Sequence, residues 1–232
     1  NMLEDVDRLI SSHGDLNHDG MGRRGLGHIT RSGILTLCAA WELYLEEVLV
    51  ESARFLIQRT DAPRDLPLPV QKELAKLVTE AQHELKPLEL SGDGWEPVYD
   101  HHATSTANSL NTPKSTRIDP LFERIIGIRG LSGVWSIGRE QVDHFVRVRG
   151  DIAHRGRDAG YIRINDLEEY RAKIVSAVVD TDHAMADHIQ KNSEGGSLSG
   201  RWAWESVAEG GGGGWGGWGG GVGSVECVGG LG

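Results

Sequence analysis

The stretch RVRGDIAHRG, residues 147–156, places two arginines ahead of a lone histidine and a third just behind it. Imidazole is the side chain whose ordinary pKa lies near neutrality, so it can take or give a proton at physiological pH. Guanidinium is a permanent cation whose donors match the oxygens of a phosphate. Together they hold what metal-free RNA cleavage requires: a base for the 2′-hydroxyl proton and a positive charge beside the phosphorane. That chemistry calls for no metal and no other cofactor.

Spacing limits how these groups can meet. On an ideal helix at about 100° per residue, Val142, Phe145, Val146, Ile152 and Ala153 make one apolar stripe with Arg149 at its centre. A guanidinium in such a seam needs an anionic partner, a wet cleft or a subunit interface. His154 lies about 140° farther around the helix, off that stripe. Three routes bring the pair together: a distortion at Gly150 or at the helix end near Gly156, the reach of the arginine side chain, or a second copy of the helix across a two-fold axis. Arg147 sits within about 20° of His154 and competes for the role of the active cation. A solvated helix end, its cations facing the carbonyl terminus of the macrodipole, explains the same residues without chemistry.

The elements around this stretch read as helices. Leu3, Val6, Leu9 and Ile10 predict a short helix over 2–12, followed by a flexible joint through Gly27. From Ile29 to Gln58 apolar positions recur at Ile34, Leu37, Cys38, Trp41, Leu45, Val48 and Phe55, the pattern of a long central helix with Trp41 as a core anchor. Pro63, Pro67 and Pro69 interrupt it, and VQKELAKLVTEAQHEL resumes a helix as far as Pro87. Residues 87–118 carry little periodicity and are expected to form a long inserted loop. Asp119 and Pro120 fit an N-cap and first helical position for LFERIIGI, and Gly130 and Gly133 break the chain beyond it. A helix over about 139–153 carries the motif. Asn165 and Glu168 form a capping-box pattern ahead of a last helix whose Leu167, Tyr170, Ile174, Val178, Thr181 and Met185 share a face. No β alternation competes, so the fold class is all-α, with helices packed on helices.

Composition bounds the setting. Of 232 residues, 24 are Lys or Arg and 34 are Asp or Glu, a formal charge of −10 that argues against coating nucleic acid by bulk electrostatics. Binding of a polyanion must then be local, and Arg147, Arg149, Arg155 and Arg157 against Asp151 supply such a cluster. Two cysteines in unlike settings, Cys38 in a helix and Cys227 in a glycine tail, point to a reducing compartment rather than a disulfide. No apolar run is long enough for a membrane span and NMLEDVDRLI is acidic where a signal peptide is basic, which together imply a cytoplasmic protein. Past Gln190 the chain becomes EGGGGGWGGWGGG, a composition expected to stay disordered. Three regions result: a short helix and joint over 1–24, a helical domain over 25–190 and a Gly/Trp-rich tail over 191–232.

Two lesser groupings remain. Asp100, His101 and His102 in YDHHATS read as a solvated loop rather than a metal site. Glu42 and Glu46, four apart on the central helix, are placed to orient the arginines across a bundle, with Glu42 the supporting candidate.

Arg149 and His154, separated by GDIA, resemble the Arg, four to six residues, His motif of the HEPN superfamily. With AAWELYLEEV at 39–48 and NTPKSTRIDPLFERIIGI at 111–128 in the same order, residues 25–190 are similar to its RiboL-PSP-HEPN branch. The resemblance implies a helical bundle that forms a homodimer, Arg and His of both copies lining one cleft. It implies metal-independent endoribonuclease activity leaving a cyclic phosphate and a 5′-hydroxyl, in toxin, antiviral-defence or RNA-processing settings, and for a toxin a cognate antitoxin or regulatory partner. On this pattern Arg149 polarises the scissile phosphate and His154 is general base or acid, while the local charge cluster makes Arg155 and Arg157 the RNA-binding candidates. Family members often carry Asn or another polar residue after the Arg. Here that position is Gly150, and Asp151 is the candidate to supply the polar function. A noncatalytic dimer that binds RNA, a nucleotide or a protein as a scaffold is the alternative.

Overall fold

The computed structural model describes residues 2–17, 25–156 and 160–192. Among them are seven α-helices and no strand: α1 (Met2–Leu16), α2 (Gly27–Arg59), α3 (Leu68–Thr79), α4 (Trp95–Ala107), α5 (Ser115–Ile126), α6 (Arg139–Arg155) and α7 (Ile164–Asn192). The all-α architecture agrees with the sequence pattern. The glycine tail, the joint at 18–24 and Arg157 lie outside the described residues.

α2 is the axis of the bundle. Its 33 residues span about 50 Å, and α1, α4, α5, α6 and α7 all pack on it. Ile34, Leu37, Cys38, Trp41, Leu45, Leu49, Ala53 and Leu56 are buried along it. Val48 and Phe55, expected inside, are half-buried; over so long a helix the contact line drifts, and Leu49 and Leu56 take the inner places. Close approach to α7 occurs at Gly33, where a Cβ would stand 2.4 Å from Leu167 Cδ2. α1 joins the same core through Val6 and is tied to α7 by Arg171 Nη2 donating to Asp7 Oδ2 at 2.7 Å.

The region 87–118 differs from the expected loop. It carries α4, preceded by short 3₁₀ turns at Lys86–Leu90 and Gly92–Gly94. Trp95, Tyr99, Ala103 and Ala107, each four apart, form a fully buried stripe against α2. Two alanines on that stripe weaken the hydrophobic signal while letting the helix backbones approach, and Pro97 falls in the tolerant first turn. Tyr99 Oη donates to the Ile125 carbonyl and so fastens α4 to α5.

Helix starts also differ in detail. α5 begins at Ser115, with Pro120 inside it, and Asp119 is not its N-cap: its carboxylate accepts from Ser132 N and Oγ at 2.7 Å each. α5 ends at Gly127, whose φ of +86° and close neighbour, Pro67 Cβ 2.5 Å from an added Cβ, both require glycine. α3 stops at Thr79, short of the expected continuation from Glu80 to Leu85. The start of α7 is held not by Asn165 and Glu168 but by Asp166, whose Oδ2 accepts from Arg163 N at 2.8 Å.

Candidate active site on α6

α6 is fixed at several points along its length. Asp143 accepts from Ser115 N and Oγ at 2.7 Å each, so the first turn of α5 is bonded to the side of α6. The segment before Ser115 is held in turn by Trp41 Nε1, which donates to the Pro113 carbonyl at 3.2 Å. Two further brackets of the same chemistry, Asp119 with Ser132 and Asp180 with Ser136 N and Oγ, set the loop between α5 and α6. Val142, Phe145, Val146 and Ile152 are buried against the bundle. Ala153, expected on this stripe, is exposed on the last turn of α6.

Arg149 sits on that stripe and meets an anion within the chain. Its Nη2 is 3.6 Å from Glu42 Oε2, with the side chains 32% and 17% exposed, respectively. The pair bridges α2 and α6. Burial raises the Glu42 carboxyl above its usual range, and the Arg149 charge works against that rise. One turn away on α2, Cys38 is fully buried; burial pushes its thiol up to about 11, with Arg149 pulling the other way. It is a neutral, inert neighbour of the arginine rather than a nucleophile.

His154 occupies another side of the helix. It is exposed on the last turn and makes no hydrogen bond or ion pair with a described residue. α6 runs unbroken through Gly150 to Arg155, and only Gly156, at φ +54°, departs from helical geometry. The separation of about 140° between Arg149 and His154 is therefore kept, and Arg149 reaches toward Glu42. Arg147 shares the His154 side, with Nε donating to the Asp143 carbonyl at 3.4 Å. Arg155 and Asp151 are exposed, and Asp151 has no partner among the described residues. At Gly150 an added Cβ would meet nothing within 4 Å, so packing does not demand glycine there.

The other candidates have structural surroundings. Asp100 accepts from Arg54 Nε at 2.7 Å, and His102 Nε2 lies 3.2 Å from Glu73 Oε1, which also pairs with Arg124. These contacts tie α4 to α2 and α3, and α3 to α5. Burial lowers the His102 pKa despite the carboxylate beside it. No three His, Cys, Asp or Glu residues gather into a metal-holding group among the described residues, and no described helix is long and apolar enough to cross a membrane. Residues that sequence reasoning passed over include Asp143 and Ser115, 28 positions apart, and a cavity between α6 and α7 lined in part by His144, Asp151 and Tyr170. No local spacing marks either.

Neither curated proteins nor solved structures yield a match to this chain. The family model of RiboL-PSP-HEPN matches residues 1–187, taking in α1 as well as the helices that carry the three motifs. HEPN domains generally cleave or bind RNA. With the match covering most of the chain, and with an all-helical bundle presenting Arg149 and His154 at the end of α6, this protein belongs to the RiboL-PSP-HEPN family.

Proposed function

We propose that the protein is a metal-independent endoribonuclease whose working unit is a homodimer. The observation that supports this reading is the division of α6: Arg149, steadied by Glu42, lies on one side, and exposed His154 lies on another. One copy does not converge the two groups, whereas two copies related by a two-fold axis can set Arg149 of one opposite His154 of the other. In that arrangement His154 takes the 2′-hydroxyl proton or protonates the leaving 5′-oxygen, and Arg149 stabilises the charge on the phosphorane. Arg155 and Arg147 flank the phosphate. A toxin or antiviral role, with a cognate antitoxin as partner, belongs to the same reading.

The test is cleavage of single-stranded RNA in EDTA with end-group analysis. Products with cyclic phosphate and 5′-hydroxyl ends, lost in His154→Ala at unchanged helicity, are expected. Undiminished cutting by His154→Ala refutes the assignment. The noncatalytic reading is favoured by one observation: Arg149 already has an anion inside the chain, as a purely structural arginine would. RNA binding and dimerisation with no cleavage by the wild type would establish it instead.

A further inference from the structure

α6, α7 and the segment entering α7 line an open cavity of about 420 Å³ on the side of α6 that neither Arg149 nor His154 occupies. Its size falls within the range of pockets for small organic ligands. The entering segment is anchored: Thr30 Oγ1 donates to the Ile162 carbonyl at 3.1 Å, and Ile162 is buried. On the opposite wall Tyr170 is braced by Phe145, with ring centroids 5.3 Å apart.

Beside the polar Gln141 and His144, the charged lining of the cavity is mostly acidic. Asp151, Asp166 and Glu169 face it, against Lys173. Lys173 Nζ is already engaged, 2.5 Å from Glu169 Oε1 and 2.9 Å from Gln141 Oε1, and Asp166 Oδ2 accepts from Arg163 N. Asp151 alone of the three carboxylates has no partner among the described residues. It also stands three residues before His154, so the two side chains are neighbours on the helix surface. A phosphate is repelled by this lining, whereas a planar group with adjacent N–H donors is accepted by it.

We propose that this cavity is a base-recognition subsite that takes a guanine of single-stranded RNA, with Asp151 accepting its N1–H and N2–H donors while the aromatic wall covers the ring. The inference rests on the RNA-binding reading of the α6 site, to which Asp151 is linked by its place one helical turn before His154. Guanine is the base that offers two parallel donors to one carboxylate. Uracil sets carbonyl oxygens on both sides of its single N–H, which a carboxylate repels. Adenine and cytosine place their amino group beside a ring acceptor. Tyr170, whose ring also meets His144 and has Lys173 Nζ 6.0 Å from its centroid, and Tyr161, 50% exposed, form the aromatic wall.

The experiment measures affinity of the full chain carrying His154→Ala for oligoadenylate with one central position changed to G, C or U. Guanine is expected to bind about tenfold more tightly than uracil. Adding Asp151→Asn should bring the ratio close to one. Equal affinity for the four bases, or a guanine preference that survives Asp151→Asn, overturns the proposal. So does displacement by an arginine-containing peptide but not by guanosine, which would make the cavity a protein-docking site. Because binding rather than cutting is read, guanine selection without cleavage sinks only the nuclease assignment, and cleavage without base selection sinks only this subsite.

Discussion

Glu42 on α2 and Arg149 on α6 stand 3.6 Å apart across a helix seam, the carboxylate the more buried of the two. A guanidinium held this way is restricted in direction without being neutralised by a tight bidentate bond. In the proposed reaction Glu42 is a positioning residue. Glu42→Gln should lower the single-turnover rate on the order of tenfold to a hundredfold, with RNA affinity little changed, because a misdirected cation loses more in the transition state than in the ground state. Rate and affinity are read separately on the same RNA, with helicity as the control. A variant that melts earlier yet cuts at the wild-type rate would make the pair purely structural.

Gly150 is a helical glycine beside open space. Gly150→Asn should fit without strain and raise stability by a few tenths of a kcal/mol, since glycine is the poorer helix former. If a polar side chain after the arginine helps hold the phosphate, the same variant raises the cleavage rate. Thermal melting and initial rates, taken together, separate the two effects.

Asp143 bonds both the amide and the hydroxyl of Ser115. Asp143→Ala removes the only side-chain anchor that the described residues give the first turn of α5, at a cost of about 1–2 kcal/mol. The expected fall in Tm is roughly 2–8 °C. Ser115→Ala, which keeps the amide contact, should lose less.

Cys38 tests the interior of the site. Its thiol is pushed up to about 11, mainly by burial, so little thiolate exists at pH 8. In a Cys227→Ser background, iodoacetamide should leave Cys38 unmodified at pH 8 and label it once the chain is denatured. Between the ordinary thiol value of 9.0 and about 11 the unfolded chain ionises first, so stability falls as pH rises through that window. Rapid native labelling at pH 8 would mean that α2 and α6 separate readily there.

The large helices are legible in the sequence because their burial tracks a sustained apolar period, as in α2 and α7. α4 is not, because Ala103 and Ala107 on its buried stripe look like polar-loop filler beside Thr104, Ser105 and Thr106. The helix starts are misplaced for a related reason. Asp119 and Asn165 have the chemistry of caps, but Asp119 is bonded to Ser132 and the start of α7 to Asp166, choices set by tertiary contact rather than by local sequence. At the site, the helical wheel puts Arg149 in a seam that calls for an anion, and Glu42 stands there. The Asp143–Ser115 bracket and the cavity beside Asp151 depend on side chains brought together from separate helices, which spacing along one helix does not encode.

The central claim is that Arg149 of one copy works with His154 of the other. Arg149→Ala and His154→Ala chains, each silent alone, should regain activity when co-expressed, because a mixed dimer holds one intact Arg149 and His154 pair. With random pairing the RNA-cleaving activity should recover to about a quarter of the wild type. A co-expressed pair as inactive as either parent, beside an active wild type, would contradict the account.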